Sequence, residues 1–146
     1  MAITQNNSID QLNSFLRGEM SAVETYRQAL EALKTTSHAQ ELADCKQSHE
    51  TRVSLLADAV RELGGIPADS PGVWGAFTKA VEGSAAAFGE RTAVAALEEG
   101  EDHGNRDYDA DVAKLSGAVR SFIETRVIPL QRNTHATVSA LKKQLS

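Results

Sequence analysis

The sequence is poor in the residues that staple, break or broaden a fold. It has one cysteine, Cys45, so no internal disulfide can form, and this usage fits a reducing compartment. It has only three prolines and 5% aromatic residues, while Ala, Leu, Glu and Lys are plentiful. That mix favours helices over strands. Clustered Lys or Arg is absent, and the net charge is −5. Phosphate backbones are held by basic clusters, so nucleic acid is not an expected partner. No apolar run approaches the ~20 residues that cross a bilayer. The N-terminus, MAITQNNS, lacks the basic-then-apolar form of a secretion signal. A soluble, cytoplasmic protein with no membrane partner is expected. Its 146 residues suit one domain, 1–146, around a single core.

What is present is helical periodicity. Ser8-Ile-Asp-Gln11 reads as a capping box, followed on one face by Ile9, Leu12, Leu16, Val23, Leu30 and Leu33. This predicts helix A over 8–35. Ser37-His-Ala-Gln40 reads as a second capping box and opens helix B, with Leu42, Cys45, Val53, Leu56, Val60 and Leu63 inward. Gly64-Gly65 then supplies a left-handed stop, with Pro67 beyond it. The stretch IPADSPG is turn chemistry, and VWGAFTKAV predicts a short extra helix whose Trp74 and Phe77 cover one end of the core. Helix C is expected over 90–113, with Val94, Leu97, Tyr108 and Val112 inward, and helix D over 117–144. Pro129 removes a backbone bond inside helix D and predicts a kink near 125–129. The A–B and C–D links are short and the B–C link is long. An all-α four-helix bundle with one long crossover follows, with an up-down-up-down bundle as the alternative.

The chain also repeats itself. GEMSAVETY at 18–26 and GEDHGNRDY at 100–108 share Gly-Glu, six residues, Tyr. His49 precedes Leu55 by six residues, as His135 precedes Leu141. A duplicated helical hairpin, 8–64 and 90–144, is the simplest origin. Gly18 with Ala22, and Gly100 with Gly104, place small residues one turn apart, a packing device that lets helices approach. Each glycine costs about 1 kcal/mol against Ala inside a helix.

Glu19 and Glu101 fall on the apolar stripes of helices A and C. His49 falls on that of helix B, and His135 lies on the side of helix D that carries Ile128. A buried carboxylate without a partner costs roughly several kcal/mol or shifts its pKa. Two readings follow. In the first, Glu19, His49, Glu101 and His135 ligate Fe, Mn or Zn between four helices. In the second, Glu and His hydrogen-bond in a metal-free layer that sets helix register. Tyr26 and Tyr108 read as core residues whose hydroxyls reach a partner. Cys45 reads as a small apolar filler. His103 and His38 are expected in solvent.

GEMSAVETY, HETRVSLLADAVRELGG, LEEGEDHGNRDY and QRNTHATVSAL together resemble a bacterial family of ferritin-like four-helix proteins known only as a domain of unknown function. The similarity spans about 10–144 and implies a ferritin-like bundle with no established activity. The wider ferritin-like superfamily is a looser match. Its di-iron members use one Glu from each of helices A and C and a Glu-x-x-His from each of B and D. Glu19 and Glu101 match the single glutamates, and His49 and His135 match the histidines. Lys46 and Arg132 stand where the Glu of each Glu-x-x-His would be, so two bridging carboxylates are missing. Glu98, Glu50 or Asp102 could compensate; Lys46 and Arg132 could instead pair with Glu19 and Glu101. Counting residues from the A–B turn puts Glu19 and His49 at different levels and favours a contact of Glu19 with His135. The functional expectation is a metal-binding protein with at most weak oxidase-type chemistry. The alternative is a non-catalytic helical scaffold or interaction protein, as a homodimer or with a protein partner.

Overall fold

The computed structural model describes residues 2–33, 36–71 and 89–146, and among these every regular element is helical. Helix α1 spans Ala2–Leu33. It begins a turn and a half before the capping box at Ser8, because no Gly or Pro precedes Gly18 to end it. Helix α2 spans Ala39–Glu62, with His38 at its N-cap and no side-chain cap. The capping box expected at Ser37 therefore does not form. Thr36 closes the preceding turn instead, its N–H and Oγ1 both donating to the Leu33 carbonyl at 2.9 and 2.8 Å.

The end of α2 follows the sequence. Gly64 has φ +83°, the Gly65 N–H reaches the Val60 carbonyl at 2.9 Å, and the Gly64 N–H reaches that of Arg61 at 2.9 Å. This left-handed closure satisfies the last carbonyls of the helix. The chain leaving α2 is then clamped to α1. The Asn13 side chain donates to the Ile66 carbonyl at 3.0 Å and accepts from the Ala68 N–H at 2.8 Å. Gly65 lies against Ile9, where a Cβ would come to 2.8 Å. The short helix expected around Trp74 and Phe77 lies outside the described residues.

Helix α3 spans Glu90–Asp111 and ends in a 3₁₀ turn, Val112–Lys114. The predicted helix D is one rod in three parts: α4 (Gly117–Phe122), a π turn (Ile123–Val127) and α5 (Ile128–Gln144). The π turn lies just before Pro129, which has no N–H to give the carbonyl one turn back. The widened turn takes up that mismatch.

Helices α1 and α2 form one antiparallel hairpin. Contacts of α1 with α3 and of α2 with α5 join it to the second. Tyr108 bonds Glu19 and Tyr26 bonds Glu101, so α1 and α3 run in opposite directions. The bundle core is divided. One apolar cluster holds Tyr26, Leu33, Leu42, Leu97, Val138 and Leu141, and the other holds Leu12, Leu16, Leu56, Val60, Ile123 and Val127. Between them lies a plate of buried polar side chains.

Candidate functional site

Each plate residue sits on a helix's inner stripe. Along α2 the buried positions are Leu42, Cys45, His49, Arg52, Leu56 and Val60, in steps of three and four. Along the π turn and α5 they are Ile123, Val127, Gln131, Thr134, Val138 and Leu141. Glu19 and Glu101 hold the equivalent positions on α1 and α3, at 3% and 2% exposure.

His49 is the centre. Its Nδ1 faces Glu19 Oε1 at 2.5 Å and its Nε2 faces Glu101 Oε2 at 2.9 Å. A ring that donates to two ionised carboxylates carries both protons, so it is an imidazolium. The tyrosines of the repeat complete the carboxylates crosswise. The Tyr108 hydroxyl donates to Glu19 Oε2 at 2.5 Å, and that of Tyr26 donates to Glu101 Oε2 at 2.6 Å. Each Gly-Glu-x6-Tyr segment thus supplies the glutamate of one pair and the tyrosine of the other. Tyr108 also stacks on Phe15 with ring centres 4.5 Å apart.

Arg52, fully buried, closes the other side. Its Nη1 donates to Gln131 Oε1 at 2.6 Å and lies 3.5 Å from Glu19 Oε2. Its Nη2 donates to Thr134 Oγ1 at 2.9 Å and to Ser48 Oγ at 3.1 Å. Gln131 and Thr134 pass the contact on, donating to Glu101 Oε1 at 3.1 and 2.9 Å. The Gln131 amide fits against α3 because residue 104 is glycine, where a Cβ would lie 2.9 Å from it.

The charges balance. Two carboxylates meet one imidazolium and one guanidinium. Burial works against the ionised form of Glu19, but Arg52 and His49 hold its pKa below the ordinary value. Glu101 is held low in the same way against burial, by His49 and Tyr26. Burial also opposes the charge on His49, and Glu19 and Glu101 overcome it and raise its pKa. Burial and the adjacent carboxylates push both tyrosines well up, so they remain donors.

Of the four candidate ligands, Glu19, His49 and Glu101 come together. His135 does not join them. It lies one position off the inner stripe of α5, half-buried, with Nε2 against Asp102 Oδ1. The contact of Glu19 is with His49 of its own hairpin, the offset between their levels being spanned by two long side chains. Lys46 and Arg132 pair outside the core, with Glu50 at 3.5 Å and Asp109 at 2.6 Å. Glu98 pairs with Lys142 at 2.9 Å. Among the described residues no group of three or more His, Cys, Asp or Glu is arranged to hold a metal ion. Cys45 is buried, and burial pushes its thiol up to about 12, so it stays protonated filler.

Arg52, Gln131 and Thr134 complete the plate and are not among the candidate residues expected from the sequence. The signal was the three-four spacing itself. Continued through the polar residues, it selects Arg52 over Val53 on α2, and Gln131 and Thr134 over His135 on α5.

A protein-family profile described as "Domain of unknown function (DUF2383)" matches residues 7–114, and the chain belongs to that family. The matched stretch contains Glu19, Tyr26, His49, Arg52, Glu101 and Tyr108. No curated protein and no solved structure matches the chain.

Proposed function

We propose that this domain is a non-catalytic helical scaffold whose Glu19–His49–Glu101–Arg52 plate fixes the register of four helices. One observation carries the reading: every charged group in the plate is paired, and the charges sum to zero. A plate of this kind leaves no nucleophile, free base or open ligand position to do chemistry. Apolar layers alone tolerate slippage along a bundle, whereas a mismatched charged layer strands buried charge, which supports a register role. The finer topology is read as ferritin-like, from the long connection between α2 and α3 and the opposed directions of α1 and α3. Acting as a scaffold, the domain would work through a second copy or a protein partner.

The metal reading, with Fe, Mn or Zn at Glu19, His49, Glu101 and His135, keeps one observation on its side. A cavity between α1 and α3 reaches the first three of these residues. For a metal to use them, His49 would have to release a carboxylate and His135 would have to turn inward from Asp102. Metal content by mass spectrometry, on protein purified without chelator, separates the readings. A Glu19→Ala/His49→Ala variant serves as control. Stoichiometric metal that disappears in the variant would replace the scaffold reading. Absence of metal from both proteins, with a lower melting point in the variant, supports it.

A further inference from the structure

Helices α2 and α5 lie side by side and antiparallel. Leu42 and Cys45 share one apolar cluster with Val138 and Leu141, and Leu56 and Val60 share the other with Ile123 and Val127. Each helix also turns an outer stripe to solvent, in steps of three and four like the inner one. On α2 it runs Asp44, Ser48, Thr51, Leu55, Asp58 and Glu62. Through the π turn and α5 it runs Arg126, Pro129, Asn133, Ala136, Ala140 and Lys143. Ser48 and Leu55 are half-buried and the others are exposed. Asp44, Ser48 and Asn133 line one groove between the helices, so the two stripes share a face.

Both stripes are charged at their ends and uncharged between, and the ends carry opposite signs. Asp44 stands at the level of Lys143, and Asp58 and Glu62 stand at the level of Arg126. Neighbouring charges are already met within the chain. Asp58 pairs with Arg61 at 3.0 Å, Arg120 with Glu124 at 3.4 Å, Arg132 with Asp109 at 2.6 Å and Lys142 with Glu98 at 2.9 Å. Among the described residues Asp44, Glu62, Arg126 and Lys143 take part in no ion pair, and Asp44 accepts only the Gln40 amide at 3.0 Å. Two acids at the ends of one stripe thus remain for two cations at the ends of the other. Within one chain the stripes lie side by side; across an interface they can meet face to face.

We infer that this face is the contact between two copies of the chain, related by a two-fold axis along the seam between α2 and α5. That rotation sets α2 of each copy against α5 of the other at the same height. Asp44 of one copy then meets Lys143 of the other, and Glu62 meets Arg126, each pair occurring twice. An axis across the helices would set α2 against α2 and acid against acid, so the charges select the first arrangement. An uncharged centre with a charged rim is the usual composition of protein interfaces. The face is about 30 Å long and two helix diameters wide, so each copy covers roughly 600 Å² and the pair about 1,200 Å², the lower bound of specific interfaces. The groove between the stripes is polar, lined by Ser48, Asn133 and Thr137, and holds water where the copies face each other. The inference rests on the scaffold reading and names its partner as a second copy.

Sedimentation equilibrium of the full chain is the test. A dimer that weakens as salt is added is expected, because the end pairs are exposed and screened. Asp44→Lys/Glu62→Lys and Arg126→Glu/Lys143→Glu should each weaken it about tenfold or more, since like charges then meet. An equimolar mixture of these two variants should restore a one-to-one complex. Ala136→Arg, in the uncharged centre of the α5 stripe, should abolish the dimer, and it carries the decision if a charge-reversed chain does not fold. Wild-type protein that stays monomeric up to about 1 mM overturns the inference and leaves the face to a different protein. Charge reversals that leave the dimer intact overturn it too, by placing the contact elsewhere. A monomer with a metal-free plate would defeat the dimer alone, whereas bound metal would defeat the scaffold reading, so the two failures are distinct.

Discussion

His49 and His135 hold matching places in the two halves of the sequence, and the structure gives them opposite fates. His49 is 3% exposed and bridges two carboxylates in the centre of the bundle. The side chain of His135 is 27% exposed and meets one surface carboxylate, Asp102. A single residue of helical phase separates them, because α5 turns Thr134 inward where α2 turns His49. The second half therefore contributes neutral Gln131 and Thr134, and the plate has one imidazole. One imidazolium with Arg52 neutralises two carboxylates, and a second charged histidine would leave a buried positive charge over. The asymmetry of the repeat matches the charge balance of the plate.

Removing the two histidines should break this comparison most visibly. His49→Leu leaves Glu19 and Glu101 without their shared donor and is expected to cost about 3–5 kcal/mol, the scale for breaking a buried ion pair. His135→Ala should change stability by less than about 1 kcal/mol, as exposed pairs do. Urea unfolding of both variants checks the contrast, and equal losses would contradict it. Arg52→Met is expected to fall near the His49 variant, at about 3–5 kcal/mol, since it strands Glu19. A loss confined to the exposed-pair range would remove Arg52 from the account.

Smaller effects sharpen the crosswise pairing of the repeat. Tyr26→Phe and Tyr108→Phe each delete one hydrogen bond to a charged acceptor and should each cost about 1.5–3 kcal/mol. Thermal melts that show one tyrosine as neutral would disprove the reciprocal arrangement.

The pH dependence follows from the directions of the shifts. The folded pKa of His49 lies above its ordinary 6.5, so its contribution is complete below that value and is lost as pH rises through the folded pKa. The carboxyls of Glu19 and Glu101 lie below their ordinary 4.5, so their contribution is present above it and is lost as pH falls through the folded values. Melting points of wild type and His49→Gln across the pH range should converge on the alkaline side, where the wild-type advantage fades. A constant gap at all pH values would contradict the charge assigned to His49.

Much of the fold was legible in the sequence. The four helical segments, the Gly64 stop and the disturbance before Pro129 follow from periodicity and backbone chemistry. Helix starts were less legible. The boxes at Ser8 and Ser37 have the right letters, but α1 continues through the first, and Thr36 closes the turn before the second. A cap motif acts only where the chain has a reason to end. At the site, Glu19, His49 and Glu101 were visible as polar residues on apolar stripes. Arg52, Gln131 and Thr134 were not, since a long arginine and two neutral polar residues look like surface until the stripe is extended through them. The crosswise Glu–Tyr bonds needed the third dimension, because the repeat does not say which tyrosine meets which glutamate.

The most direct test of the charge-balanced plate is the ¹⁵N NMR spectrum of the His49 side chain at neutral pH. Two protonated ring nitrogens, persisting above pH 6.5, are predicted. A neutral ring with one bare nitrogen would contradict the account, leaving a carboxylate without its donor and a ligand position free for a metal.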